Sequence, residues 1–254
     1  MKINRLLEDW PSGVIATQAW LHEQGVGPNL VQKYQQTGWV ERLGHGAWKR
    51  SGDSIDWHGG VFALQQGATV QIWPGGATAL SLAGYSHYLT FGTETVELSG
   101  LAGAVLPGWF RKHDWGAQVN FYPGVLFTAL EDMALQDFQM PYRQFALKIS
   151  TPERAVLELI HQSADEMLFS GVADVLNGLA TLSPRRLQKL LEACNSIRVK
   201  RVFFVLARNA AHAWYGRIDR SSIDLGKGKR QIIRGGRLDK EFLITVPENF
   251  ANAT

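Results

Sequence analysis

Residues 28–37 place Asn29, Gln32, Lys33 and Gln36 on one side of a helix-compatible run. Side chains of these types in that pattern read base edges: the amides pair bidentately with adenine in the major groove, and a lysine reaches guanine or phosphate. A few residues later, Arg42, His45, Lys49 and Arg50 surround the turn Gly44-His45-Gly46, where cations and an imidazole could grip the sugar–phosphate backbone or the minor groove. A second group of cations, Lys227, Lys229, Arg230, Arg234 and Arg237, lies in the glycine-rich runs Gly226-Lys227-Gly228-Lys229-Arg230 and Arg234-Gly235-Gly236-Arg237. Such clustering suggests an anionic partner, either nucleic acid or an acidic protein surface.

Other chemistry finds little support, so no catalytic residue, metal site or cofactor is expected. The histidines (His22, His45, His58, His87, His113, His161, His212) are scattered without metal-ligand spacing. Ser86, in Gly84-Tyr85-Ser86-His87-Tyr88, lacks the second glycine of a nucleophile elbow. Gly25-Val26-Gly27, Gly44-His45-Gly46 and Gly226-Lys227-Gly228 each lack the third glycine of a dinucleotide fingerprint, and no GxxxxGK[ST] loop occurs. Cys194, the single cysteine, can form neither an internal disulfide nor a CxxC site and reads as a small core hydrophobe. Asp219, Asp224, Asp239 and Glu241 are the only carboxylates beside the basic stretch that a metal-dependent nuclease could use, and they read better as solvated turn residues. Trp39, Trp48, Trp57, Trp73, Trp109 and Trp115 could stack bases, although no single-strand-binding pattern accompanies them and core packing is the commoner role.

The elements that would position the base-reading side chains are legible. Ile3, Leu6, Leu7 and Trp10 have helical spacing, ended by Pro11. Thr17 suits the N-cap of a helix running to Gln24 that buries Ala19, Trp20 and Leu21. After the turn Gly25-Val26-Gly27, Pro28 opens a third helix to Thr37 with Leu30, Val31 and Tyr34 inward. Strands at 39–43 and 47–50 form a hairpin whose two glycines permit positive φ. Three helices and a hairpin in this order predict a winged helix-turn-helix over residues 1–56, with the third helix as reader. Polar residues also line the outer face of any surface helix, and winged-helix units also serve protein contact alone.

Residues 57–254 predict a larger mixed α/β (α+β) domain. Helices are expected at 57–66, 77–89 (entered through Pro74-Gly75-Gly76), 152–161, 172–179, 185–194 and 199–214. Strands are expected at 68–73, 94–98, 118–122, 145–149, 232–233 and 242–246. Ser150 or Thr151 is placed to cap the helix after Pro152, with Glu153 favouring its dipole, and Ser183 to cap the one after Pro184.

With 45% hydrophobic residues, 19% charged and 26 glycines in 254 residues, the chain is neither disordered nor a coiled coil. No run approaches the roughly 20 apolar residues needed to span a bilayer, and the expected location is the cytoplasm. The net charge of +3 hides an asymmetry. Residues 1–56 carry six basic and six acidic side chains, which argues against a purely electrostatic binder, whereas 198–240 carry twelve basic residues against Asp219, Asp224 and Asp239.

The run Leu6-Leu7-Glu8-Asp9-Trp10-Pro11-Ser12-Gly13-Val14, then Trp20-Leu21, Gly25, Leu30-Val31, Tyr34, Gly38-Trp39 and Leu43-Gly44-His45-Gly46-Ala47, resembles the N-terminal winged helix of AbiEi-like antitoxins of type IV toxin–antitoxin systems. Asp56-Trp57-His58-Gly59-Gly60, Ala63-Leu64-Gln65, Gly76-Ala77-Thr78-Ala79-Leu80 and Gly84-Tyr85-Ser86-His87-Tyr88-Leu89 extend the likeness. Beyond residue 89 it rests on Ser150-Thr151-Pro152-Glu153-Arg154 and the basic end. The resemblance implies a bacterial, non-enzymatic repressor that binds double-stranded operator DNA, an inverted repeat, as a monomer or dimer. It also implies that the C-terminal domain counters a nucleotidyltransferase-like toxin. Carried onto this chain, it assigns DNA contact to Asn29, Gln32, Lys33, Gln36, Arg42, His45, Lys49 and Arg50, and leaves the second basic surface to DNA or to the partner. A winged helix carrying a nuclease or another nucleic-acid-processing domain is the alternative.

Overall fold

The computed structural model describes residues 3–67, 70–85, 94–128 and 134–251. Helix α1 (Ile3–Asp9) ends where Pro11 lacks a donor, and the Trp10 indole donates to the Val14 carbonyl at 2.9 Å, closing the turn into strand β1 (Ala16–Thr17). Helix α2 (Gln18–Glu23) begins where Thr17 Oγ1 accepts from the Trp20 amide at 3.2 Å. Helix α3 (Pro28–Gln36) begins with Pro28 at a position whose N–H would be unpaired in any case. Strands β2 (Val40–Gly44) and β3 (Ala47–Arg50) complete a three-stranded antiparallel sheet in the order β1-β3-β2. This is the expected winged helix-turn-helix. One detail differs, because Ala19 is exposed and Trp20 only half-buried, leaving Leu21 as the buried residue of α2. The Thr17 cap sets the phase of so short a helix, and Trp20 tilts against Trp10 at the core's edge, ring centroids 5.7 Å apart.

Asp56 caps helix α4 (Trp57–Leu64), accepting from the Gly59 amide at 3.2 Å. Strand β4 (Ile72–Pro74), helix α5 (Gly76–Leu82), strand β5 (Thr95–Gly100), helix α6 (Gly108–Lys112) and strand β6 (Gln118–Pro123) come next. Their sheet has the order β4-β5-β6, with β4 antiparallel to β5 and β6 parallel to it. Strands β7 (Leu135–Gln139) and β8 (Ala146–Ser150) pair antiparallel. Ser86, His87 and the predicted helical residues 86–89 lie outside the described residues, as do Ala68 and Thr69 of the strand expected at 68–73.

Helix α7 (Pro152–Gln162) crosses behind the sheet. After it come α8 (Asp165–Met167), a π-helical turn at 168–172, α9 (Ala173–Asn177), α10 (Pro184–Ala193) and α11 (Ile197–Ala210). Strands β9 (Arg230–Gln231), β10 (Arg237–Asp239) and β11 (Ile244–Val246) form a last small sheet in the order β10-β11-β9. Helices and sheets thus mix as an α/β (α+β) chain. Ser183 caps α10 as expected, accepting from the Arg186 amide at 3.3 Å. The start of α7 works differently from the expectation. Ser150 Oγ donates to the buried Glu158 at 2.7 Å, and Glu153 reaches across to accept from the Ser183 amide at 2.7 Å and from Arg186 at 2.9 Å. Neither Ser150 nor Thr151 caps α7 through its side chain, whereas Glu153 lies in the first turn as expected and also ties α7 to α10.

One apolar core runs from Leu6, Trp10 and Val31 through Trp57, Leu98 and Leu157 to Phe203, Phe204 and Ile244. Each such large side chain contributes about 1.5–3 kcal/mol on full burial. The winged helix is joined closely to α4: a methyl added at Gly59 would lie 1.9 Å from the Gly13 carbonyl oxygen, so only glycine fits. Among the described residues no helix is long and apolar enough to cross a membrane.

Candidate nucleic-acid interface

The apolar positions of α3 turn Val31 and Tyr34 into the core, so positions 29, 32, 33 and 36, spaced i, i+3, i+4 and i+7, share the opposite side. Asn29, Gln32, Lys33 and Gln36 are all exposed. Across from them the wing turns at Gly46, whose φ of +71° suits glycine. Gly44, expected to need positive φ for the same turn, lies outside that region. It is small for another reason: an added methyl would meet Trp109 at 2.8 Å from Cβ and 3.1 Å from Cα. Between α3 and the wing lies a groove of about 510 Å3 lined by Gln18, Gln32, Gln35, Gln36, Arg42 and His45, with Pro28, Gly46 and Trp48 at its base. Four of the predicted residues therefore meet around one opening.

Gln18 and Gln35 are not among the contacts that the sequence predicts. Gln35 shares the exposed side of α3, a signal that periodicity contains. Gln18 arrives only through tertiary structure, since its backbone amide donates to the Gly46 carbonyl at 2.9 Å and joins α2 to the wing tip.

The wing cations differ in their engagement. Arg42 and His45 are exposed, with Arg42 Nε donating at 3.3 Å to the Gly44 carbonyl of its own turn. Lys49 pairs with Glu41 at 3.1 Å and donates to the Asp53 carbonyl at 3.0 Å, and the Lys49 partnership holds the Glu41 carboxyl below its ordinary pKa. Arg50 donates to the Trp10 carbonyl at 2.9 Å and the Leu7 carbonyl at 3.4 Å, binding the end of α1. Neither Lys49 nor Arg50 lines the groove.

The C-terminal basic stretch separates in the same way. Lys200 and Arg201 are buried. Arg201 donates to the carbonyls of Leu225 (2.7 Å), Gly228 (2.7 Å), Leu243 (3.1 Å) and Gly226 (3.1 Å), and burial, aided by Arg230, lowers its pKa. Arg198 holds Asp165 at 2.6 Å and the carbonyls of Ile160 and Ser163. Arg208 binds Asp239 at 2.6 Å and Glu241 at 2.9 Å, and Arg220 also binds Glu241. Burial works against the Arg208 charge, but these carboxylates outweigh it and raise its pKa. The remaining seven face solvent: the predicted second surface, Lys227, Lys229, Arg230, Arg234 and Arg237, is exposed, as are Arg217 and Lys240. Only Arg237 of these forms an ion pair among the described residues, with Glu248 at 3.5 Å, and its exposure makes that pair weak.

The four carboxylates considered for a nuclease do not converge. Asp219 accepts from the Ser221 amide (2.9 Å) and hydroxyl (2.6 Å), Asp224 from the Gly226 amide (2.7 Å), and buried Asp239 from the Phe242 amide (2.9 Å) and Arg208. Glu241 stays ionised between Arg208 and Arg220, its pKa lowered although burial alone would raise it. Among the described residues, no group of three or more His, Cys, Asp or Glu side chains could hold a metal. Cys194 is buried, and burial pushes its thiol pKa up, away from reactivity. Trp48, Trp57, Trp73 and Trp109 are buried, Trp115 is half-buried, and Trp39 stands out at 46% exposure.

Two family models match almost the whole chain. One, for the N-terminal domain of the AbiEi antitoxin transcriptional regulators, matches residues 1–91, and the other, for "Transcriptional regulator, AbiEi antitoxin, Type IV TA system", matches residues 93–247. The first therefore takes in α4, β4 and α5 as well as the winged helix. Among solved structures, the crystal structure of the RV2827C protein from Mycobacterium tuberculosis shares the fold at a TM-score of 0.61, with 16% sequence identity, covering 95% of this chain and 88% of that one. A search of the curated proteins finds no match.

Proposed function

The chain belongs to the AbiEi antitoxin family of transcriptional regulators of type IV toxin–antitoxin systems, and from that premise we propose that it represses its own operon and neutralises a nucleotidyltransferase-like toxin. Residues 1–56 bind an inverted-repeat operator, one copy to each half-site, with α3 in the major groove and the wing on the adjacent backbone. Residues 57–254 engage the toxin. The reading invokes no cofactor, metal or catalytic residue.

The observation that carries the DNA half is the groove between α3 and the wing, where Gln32, Gln36, Arg42 and His45 meet without being tied into the core. Its amide-rich rim suits base edges more than bare phosphate, in keeping with an N-terminal unit of balanced charge. Lys33, exposed on the same side, adds a charge-assisted contact to guanine or phosphate. For the second basic surface, Lys227, Lys229, Arg230, Arg234 and Arg237, the rigid seating of the 225–230 turn on Arg201 supports a preformed anion-facing patch, for the duplex or for an acidic face of the toxin.

A gel-shift titration of the full chain on its own promoter, against a scrambled duplex at two salt concentrations, tests the repressor half. Gln32→Ala with Lys33→Ala should remove the preference for the promoter, each lost base contact costing about 1–3 kcal/mol. An unchanged footprint refutes α3 as the reader. Toxin neutralisation is read by co-expression with the product of the neighbouring reading frame, which is expected to be nucleotidyltransferase-like: growth rescue that survives loss of operator binding supports a separate effector region, and absence of rescue by the wild type rejects that half.

A further inference from the structure

We propose that the short helix α6 is a third DNA-contacting element, placing Arg111 and Lys112 on backbone phosphates alongside the wing. The inference rests on the DNA-binding reading above and adds residues that neither the third helix nor the hairpin supplies.

The wing lies between two helices. On one side, α3 and the wing form the groove that holds Arg42 and His45. Against the wing's β2 strand, α6 packs at Gly44, where the absence of a side chain lets Trp109 approach the backbone directly. Strand β2 thus contacts both α3 and α6, and in this proposal the duplex lies across all three.

The attachment of α6 is firm. Trp109 is 6% exposed and Phe110 1% exposed. Their rings meet edge-on with centroids 5.6 Å apart, and Phe110 contacts Trp115 at 4.8 Å. Trp115 Nε1 donates to the Phe110 carbonyl at 2.8 Å, closing the turn after the helix. Gly60 of α4 is the other seat, since a methyl there would lie 2.7 Å from the Trp115 ring and 2.9 Å from that of Phe110. An element whose apolar half is held by both the wing and α4 moves with the wing.

With Trp109 and Phe110 turned inward, the next two residues are left facing out. Arg111 and Lys112 are exposed, and neither forms an ion pair among the described residues. The neighbouring carboxylates are engaged elsewhere: Asp114 accepts from the Gly116 amide at 2.9 Å, and Glu41 pairs with Lys49. Burial lowers the His113 pKa against the opposing charge of Asp114, and Lys49 lowers it further, which puts the end of α6 within electrostatic range of strand β3. Two adjacent cations without an ion-pair partner among the described residues, on a rigid ledge beside a wing, suit phosphate oxygens. No amide side chain accompanies them on α6, so they contribute affinity without sequence preference.

The test is a salt series of gel shifts with the full chain carrying Arg111→Ala and Lys112→Ala, on the operator and on the scrambled duplex, with melting temperature as the check on folding. Each lost phosphate contact should reduce the slope of log affinity against log salt by about 0.9, so about 1.8 for the pair. A fourfold rise in salt should then weaken the wild type roughly tenfold more than the variant. Affinity for the two duplexes should fall by the same factor, leaving their ratio intact. An unchanged slope while Gln32→Ala with Lys33→Ala abolishes promoter preference overturns the α6 inference alone. No discrimination by the wild type at any salt overturns the DNA reading and this inference with it.

Discussion

The third helix and the stretch 198–220 both carry polar and basic side chains and use them in opposite ways. On α3, Asn29, Gln32, Lys33 and Gln36 all reach solvent. Between 198 and 220, by contrast, Arg198, Arg201, Arg208 and Arg220 bind carbonyls and carboxylates within the fold. Charge density along the sequence therefore overstates the second surface. The cations left for a partner are Arg217, Lys240 and those carried on the two glycine-rich turns, and the buried arginine beneath the first of these turns is what shapes it.

Arg201 gives that contrast its largest expected effect. Its guanidinium satisfies four carbonyls drawn from both the 225–228 turn and Leu243. Arg201→Leu removes the donor from the Leu225, Gly226 and Gly228 carbonyls and leaves the Leu243 carbonyl with the Arg230 amide alone, and the expected loss is about 2–3 kcal/mol, read as a lowered urea midpoint. Hydrogen exchange should rise first at residues 225–230. A variant as stable as the wild type would mean that the turn is not held by Arg201, and the distinction between structural and partner-facing cations would lose its best example.

The legibility of each part has the same physical origin. The winged helix is readable because its signals are local: a threonine cap at Thr17, a proline at Pro28, apolar spacing at Val31 and Tyr34, and a glycine at Gly46. Farther along, elements set by tertiary contact escape a sequence reading. Helix α6 is five residues long, too short to show a period, and is anchored by what it touches at Gly44 and Gly60. Strand β7 carries Gln136, Asp137 and Gln139, poor strand formers, and exists because β8 pairs with it along five positions. Strand β10 likewise has no local signal, and the expected strand at 232–233 appears instead at Arg230–Gln231, where pairing with β11 is available. At the interface, the third helix and the wing tip are visible in the local pattern, whereas Gln18 joins them only through its backbone bond to Gly46.

Asp56 lies where the winged helix meets α4 and the β7–β8 turn, and has an intermediate expected effect. It caps α4 and pairs with Arg143 from the turn between β7 and β8 at 2.5 Å. Burial would raise its pKa, but the His58 ring 3.3 Å away, the Gly59 amide and the Arg143 charge together hold it below the ordinary aspartate value. A carboxylate with a depressed folded-state pKa contributes stability that is present above about pH 4 and is lost as pH falls through the folded value. Asp56→Ala should therefore cost about 1–2 kcal/mol at pH 7, and Asp56→Asn, which keeps a capping oxygen, less. The gap between wild type and Asp56→Asn in urea midpoint should narrow at about pH 3. A gap that persists undiminished would show that the charge on Asp56 does not hold the winged helix to the β7–β8 turn.

The smallest effects come from two arginines eight residues apart on the hairpin, and they separate the roles most cleanly. Arg42 lines the groove with its charge exposed, while Arg50 donates to the carbonyls of Leu7 and Trp10 at the end of α1, groups that no helix can satisfy internally. Arg42→Ala should leave the melting temperature unchanged and reduce the salt slope of DNA binding by about 0.9. Arg50→Ala should do the reverse: about 1 kcal/mol of stability, or roughly 2–4 °C in melting temperature, with DNA affinity preserved below the transition. If Arg50→Ala lowers the salt slope as much as Arg42→Ala, then Arg50 leaves the α1 carbonyls to meet phosphate. In that case engagement in the free protein would not separate structural cations from DNA-binding ones.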